Sequence, residues 1–305
     1  MARACPACGR PNGDAAVRCL YCVAPLPPVQ VLAPIPVDAA APVAPAGKDR
    51  HLLILLPGGA REEAIAALSR IAFLSAYDAR MSLSTPRPRL FRRLESEPSA
   101  RRLSKELAEA LIPHYVVAES RVTSLPVARA LKIELGSRHF EPILDGAFPR
   151  VGPTPYEHLL LLVRGEITRE RHHEKRLGSA KGASRRLTPG LRLHLYPRDA
   201  RVAIEVDPDL FDFRLPHEEK SASALLNFER LIECIHEKAP GLSVDRGFDL
   251  EPLVLSRAGG GDVTDALASS NQGPEGVPYD DEANFRFYAR WRYRVARHLS
   301  RLGAA

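Results

Sequence analysis

Cys5, Cys8, Cys19 and Cys22 are spaced C-x2-C-x10-C-x2-C within the first 22 residues. Two thiolates three positions apart can turn around one ion, and a second such pair completes a tetrahedral four-sulfur site. A closed sulfur shell leaves no position for a substrate, so the pattern predicts one structural Zn2+ and not a catalytic one. A module of about 20 residues buries too little apolar surface to fold alone, so the metal must supply most of its folding energy. The alternative, disulfide pairing, does not suit a reducing compartment.

The remaining candidates for chemistry are sparse. The stretch Arg164–Arg201 holds eleven Lys/Arg and four Asp/Glu, a local +7 against +6 for the whole chain. Its middle lacks apolar periodicity and reads as a long basic loop. Lys175, Arg176, Lys181, Arg185 and Arg186 are its candidate contacts for an anion or a nucleic acid. No interleaved aromatics accompany them, so stacking on single strands is not supported. His172-His173-Glu174 read as surface residues, because neighbours on a loop do not converge on one ion. Asp207, Asp209 and Asp212 read as a turn around Pro208 that enters a strand. Cys234 reads as a small core residue of a helix. No G-x-G-x-x-G, G-x-x-x-x-G-K-[ST], G-x-S-x-G or H-E-x-x-H pattern occurs. The expectation is a non-enzymatic protein.

The segment Cys5–Leu26 resembles the short zinc ribbons at the N-termini of many bacterial proteins. It carries their Cys-Pro-x-Cys-Gly opening (Cys5, Pro6, Cys8, Gly9), Asn12 and the second cysteine pair, with Val23 in place of the usual Gly. After it, residues 23–50 contain seven Pro and seven Ala, which predicts an extended tether. A second linker runs from about Ser256 to Pro278 around Gly259–Gly261.

Between the linkers the expected class is α+β. The order is strand 52–56, helix 61–73, helix 75–83 capped by Ser75, strand 90–94, helix from Ser96 with Leu103, Leu107 and Leu111 on one face, and strand 115–118. This βααβαβ order is similar to the C-terminal domain of the bacterial ribosomal stalk protein and to the related Clp-protease adaptor fold. The likeness rests on strand 52–56, Glu62-Glu63-Ala64, Ala79, Pro86, Ala100, Leu107 and Val116-Val117. The stalk domain's Gly-Leu-Gly turn is replaced by Ala72-Phe73-Leu74, and its surface lysines are not recognisable. The resemblance therefore implies a docking module without implying its binding residues.

Strands are then expected at 130–135, 139–143, 159–167, 191–196, 201–206 and 210–214. A helix at 221–238 follows, with Leu225, Phe228, Ile232 and Ile235 inward. A meander closed by one helix is loosely similar to a pleckstrin-homology-type barrel. Last comes a basic amphipathic helix with an apolar stripe of Phe285, Tyr288, Trp291, Val295, Leu299 and Leu302 among six arginines. Such a helix docks on the body through its aromatics, or lies on anionic membrane or nucleic acid.

The expected domains are 1–24, zinc ribbon; 25–50, linker; 51–119, small α/β domain; 120–255, β-rich domain with closing helix; 256–279, linker; and 280–305, basic helix. No apolar run exceeds five residues and no leader is visible, so the expected compartment is the cytoplasm. The expected role is an adaptor with a protein partner. The alternative is a nucleic-acid- or ribosome-associated protein.

Overall fold

The computed structural model describes residues 3–4, 6–8, 11–12, 22, 24, 49–146, 151–177, 180–213, 223–248 and 281–303. Of these, 3–4, 11–12, 169–177, 180–188 and 281 are described by backbone alone. The chain divides into two units, Met1–Gly47 and Lys48–Ala305. In the first, β1 (Arg3–Ala4) pairs antiparallel with β2 (Pro11–Asn12), and Cys8 closes the exposed turn 6–8 between them. Cys5 and Cys19 lie outside the described residues, as do the two expected linkers apart from Asp49 and Arg50.

The second unit begins with β3 (His51–Leu55), α1 (Glu62–Ala72), α2 (Ala76–Leu83), β4 (Arg89–Leu94), α3 (Glu97–Glu109) and β5 (His114–Ala118). Local sequence sets these boundaries. Ser75 accepts from the Asp78 amide to start α2, and Ser96 accepts from the Ser99 amide to start α3. Leu111 is not part of the α3 stripe. The helix stops at Glu109, and Leu111 takes a left-handed φ of 53° and stands exposed. The antiparallel sheet order is β4-β3-β5, so β5 is an edge.

Next come α4 (Glu119–Thr123), β6 (Val127–Leu135), β7 (His139–Leu144), β8 (Thr154–Pro155), β9 (Leu159–Leu177), β10 (Ala180–Pro197), β11 (Ala203–Val206), α5 (Ala224–Lys238), β12 (Ser243–Asp245) and α6 (Asp281–Arg301). The seven-stranded sheet has the order β12-β9-β10-β11-β6-β7-β8. It is neither a meander nor a closed barrel. β11 pairs parallel with β6, and β12 pairs parallel with β9 once α5 has carried the chain across the sheet. The strand expected at 210–214 is absent over its described residues, because Asp207 takes the Asp209 amide in a tight turn.

Helix α6 decides how these parts pack. On one face of the large sheet Leu162, Leu193, Leu195, Ile204 and Val206 join Phe228, Leu231, Ile232 and Ile235 of α5. Leu225 is half exposed and is not among them; Asn227 and Leu231 are buried instead. On the other face Leu161, Val163, Tyr196 and Ala203 share a core with Phe285, Tyr288, Trp291 and Val295 of α6. That core also holds Leu52, Ile54, Leu90 and Val117 of the small sheet. The opposite face of the small sheet buries Leu53, Leu55 and Phe91 against Ile65, Leu68, Leu103 and Leu107. Helix α6 is thus covered from both sides, and its apolar stripe docks on the body from Phe285 to Leu299, whereas Leu302, past the helix end, is exposed. Gly165 makes the approach possible, since a Cβ there would lie 2.7 Å from the Phe285 ring and 2.8 Å from Phe248.

Candidate docking site

Three ionic clamps fix α6. Arg192, almost fully buried, pairs with Asp207 at 2.9 Å and with Glu282. Arg292 pairs with Asp245, which also accepts from the Tyr288 hydroxyl at 2.8 Å. Glu205 accepts both Nε and Nη2 of Arg286, at 2.8 and 2.9 Å. Much of the arginine content that gives α6 its basic character therefore points inward.

Glu205 also meets His194 Nε2 at 3.1 Å, and His194 Nδ1 lies 2.9 Å from the Tyr196 hydroxyl. An ionised carboxylate only accepts, so Nε2 carries the proton and Tyr196 donates to Nδ1 of a neutral ring. Burial pushes the His194 ring below its ordinary pKa, against the pull of Glu205. Burial alone would raise Glu205, but the hydrogen bonds from His194 and Arg286 and the Arg286 charge hold its carboxyl well below the usual range. Both folded-state values lie under their unfolded ones, so both groups stabilise above the unfolded pKa and withdraw that support as pH falls. Lowering pH from about 7 to 5 crosses the unfolded histidine value near 6.5, so the unfolded chain takes up a proton there that the buried His194 ring does not. We expect the melting temperature to fall over that interval in wild type and to fall less in His194→Gln. Equal slopes would remove His194 from the account. The cluster is sealed from solvent and positions α6; it offers no surface to a ligand.

What α6 positions at its far end is open. His298 stacks on Tyr115 of β5 with ring centroids 4.4 Å apart, and an Arg294 Nη2 donates to the Arg121 carbonyl of α4. Tyr115, Arg121, Ser124, Arg294, Arg297, His298 and Arg301 line a pocket of about 380 Å³, and none of its described lining residues is a carboxylate. Burial raises the Tyr115 phenol, against the pull of Arg294, Arg121, Arg301 and Arg297. Burial lowers the Arg294 guanidinium, and Arg297 and Arg121 add to it. Asp199 pairs with Arg297 at 2.9 Å.

A second concavity of about 780 Å³ shares Tyr115, Val117 and Arg121 with that pocket and runs along β5 beside Ala100, Arg101 and Ser104 of α3. Glu119 N donates to Arg50 O, and Leu56 N to Pro113 O. With the β3–β5 register this fixes 113, 115, 117 and 119 as the residues bonded to β3. The backbone N–H groups of His114, Val116 and Ala118 and the C=O groups of His114 and Val116 therefore point away from β3, and no strand among the described residues pairs with them; the Ala118 C=O starts α4 as its N-cap. The His114 side chain is held aside: its Nδ1 lies 2.8 Å from the Ile112 carbonyl and its Nε2 2.7 Å from Ser104 Oγ.

The expected sites fall elsewhere. Cys8 and Cys22 are exposed in the first unit. Among the described residues no group of three or more His, Cys, Asp or Glu could hold a metal. Cys234 packs half-buried against the α5 core. The stretch expected as a basic loop is a β-ribbon, in which β9 and β10 pair continuously from Arg164–Leu193 to Leu177–Ala180. Backbone pairing extends these strands well past the apolar residues at their base, which is why apolar periodicity missed them. The ribbon's register does not gather the five expected cations. Lys175 and Arg186 share one face with Arg169 and Arg171, whereas Arg176, Lys181 and Arg185 share the other with Glu170 and Glu174.

Large apolar side chains of the small α/β module are exposed. Phe73 is 90% exposed in a left-handed conformation of φ 55°, and Tyr77 and Met81 are exposed along α2. No helix among the described residues is long and apolar enough to cross a membrane. Compared with protein-family models, curated proteins and solved structures, the chain matches none.

Proposed function

We propose that this chain is a non-enzymatic interaction protein of the cytoplasm, an adaptor that docks an extended segment of a partner protein on the edge of β5. The carrying observation is the row of outward backbone groups at His114, Val116 and Ala118 facing a groove. An edge of this kind takes an added strand, whose main-chain bonds give affinity and whose alternate side chains give specificity. The docking-module likeness of residues 51–118 supports the same reading. Cys5, Cys8, Cys19 and Cys22 would hold one Zn2+, and Cys8, in a turn between paired strands, suits a metal knuckle. Bound zinc would supply folding energy to that module.

Ala118 provides the test. Its φ of −63° is already that of proline, and Val117 before it is extended, so Ala118→Pro removes one outward N–H without straining the chain. A photoreactive residue replacing the exposed Arg101 should crosslink in its host to one extended segment of a partner. That crosslink should vanish in the Ala118→Pro background while the melting temperature holds. An undiminished crosslink would overturn the reading.

The alternative, nucleic-acid contact through the ribbon, is favoured by the face that carries Arg169, Arg171, Lys175 and Arg186 without an acid. It requires a binding constant that falls steeply with salt, and charge reversal at Lys175 and Arg186 should flatten that dependence.

A further inference from the structure

We propose that the arginine pocket beside β5 receives the phosphate of a phosphorylated side chain on the docked segment. The inference rests on the reading of β5 as the docking edge. Four guanidinium groups (Arg121, Arg294, Arg297 and Arg301) line about 380 Å³ together with His298 and Ser124, and among the described residues the wall holds no carboxylate. Like charges brought this close repel, and an anion among them converts that repulsion into attraction. Only Arg297 has a carboxylate partner, Asp199, among the ion pairs of the described residues. Arg294 Nε is buried without a hydrogen bond.

The donor set selects the anion. A carboxylate is satisfied by one arginine fork, whereas a phosphate monoester offers three terminal oxygens and close to two charges at neutral pH. Several forks and the Ser124 hydroxyl suit the latter. Placement selects the source. Tyr115 and Val117 alternate with the outward-facing backbone positions, so their side chains lie on the α6 side of β5, and both border the pocket. A strand added to β5 puts alternate side chains on that side, about 5 Å from Tyr115 or Val117, within reach of the pocket. Recognition would thus combine an added strand with an arginine cluster that reads phosphate.

The test titrates inorganic phosphate, then acetate, into the full-length protein and follows Arg Nε–Hε resonances. Phosphate should saturate and acetate should not. The double variant Arg121→Gln, Arg301→Gln alters two exposed side chains and should bind phosphate about tenfold or more weakly. The Ser- or Thr-phosphorylated form of the crosslinked segment should bind wild type about tenfold or more tightly than the unmodified form, and the double variant should lose that preference. Equal affinity of the two forms, or phosphate binding unchanged in the double variant, would overturn the proposal. So would binding of phosphatidic-acid vesicles in preference to the phosphorylated segment. If phosphate fails to bind while Ala118→Pro still abolishes the crosslink, this inference alone falls. If phosphate binds but Ala118→Pro keeps its partner, the docking reading falls and takes the assignment of the phosphate's source with it.

Discussion

Chelating zinc should unfold the first unit and leave Lys48–Ala305 folded. Structural Zn2+ in modules of this size is worth about 10–16 kcal/mol of apparent binding energy, nearly all of it folding energy. Under the zinc reading the four cysteines would close one sulfur shell, so losing any one should matter almost as much as losing the ion. Purified protein should carry one equivalent of zinc, and Cys8→Ser should carry almost none. Trypsin should cut after Arg18 at least about tenfold faster once chelation has unfolded the module. The melting temperature of the second unit, Lys48–Ala305, should stay where it was. Metal-free protein with the same protease resistance would remove zinc from the account.

Glu205→Ala should be the most damaging single change in the second unit, costing about 3–5 kcal/mol by urea unfolding. It removes the acceptor shared by Arg286 and His194 and leaves a guanidinium and a ring N–H facing a low-polarity interior. The loss is local to the face where α6 docks, because Glu205 alternates with Ile204 and Val206, which belong to the α5 core. Glu205→Gln should cost less, since its amide oxygen still accepts. A loss under about 1 kcal/mol for Glu205→Ala would show that the pair does not hold α6.

How much of this was legible in the sequence depended on how far apart the interacting residues lie. Ser75 and Ser96 announced their helices because a cap needs only the next three residues. The aromatic stripe of α6 was legible for the same local reason. The destination of its arginines was not: Arg286 reaches Glu205, and Arg292 reaches Asp245, across 81 and 47 residues. Alternation at 191–196 identified a strand with Leu193 and Leu195 inward. It could not show that Arg192, His194 and Tyr196, the apparently solvent-facing set, lie beneath a second helix. The one available signal was a histidine and an arginine between leucines in a strand whose hairpin partner carries Glu205. The open edge of β5 was invisible for a further reason. An unpaired strand edge is made of backbone, and the pocket beside it joins α4 to a helix some 170 residues later.

The central claim is that the outward backbone of β5 takes a partner strand, and amide hydrogen exchange at single-residue resolution tests it most directly. With the crosslinked segment added as a peptide, the His114, Val116 and Ala118 amides should become protected. Tyr115 and Val117, already bonded to β3, should exchange as before. Binding that leaves those three amides unprotected, or that protects residues of the ribbon instead, would contradict it.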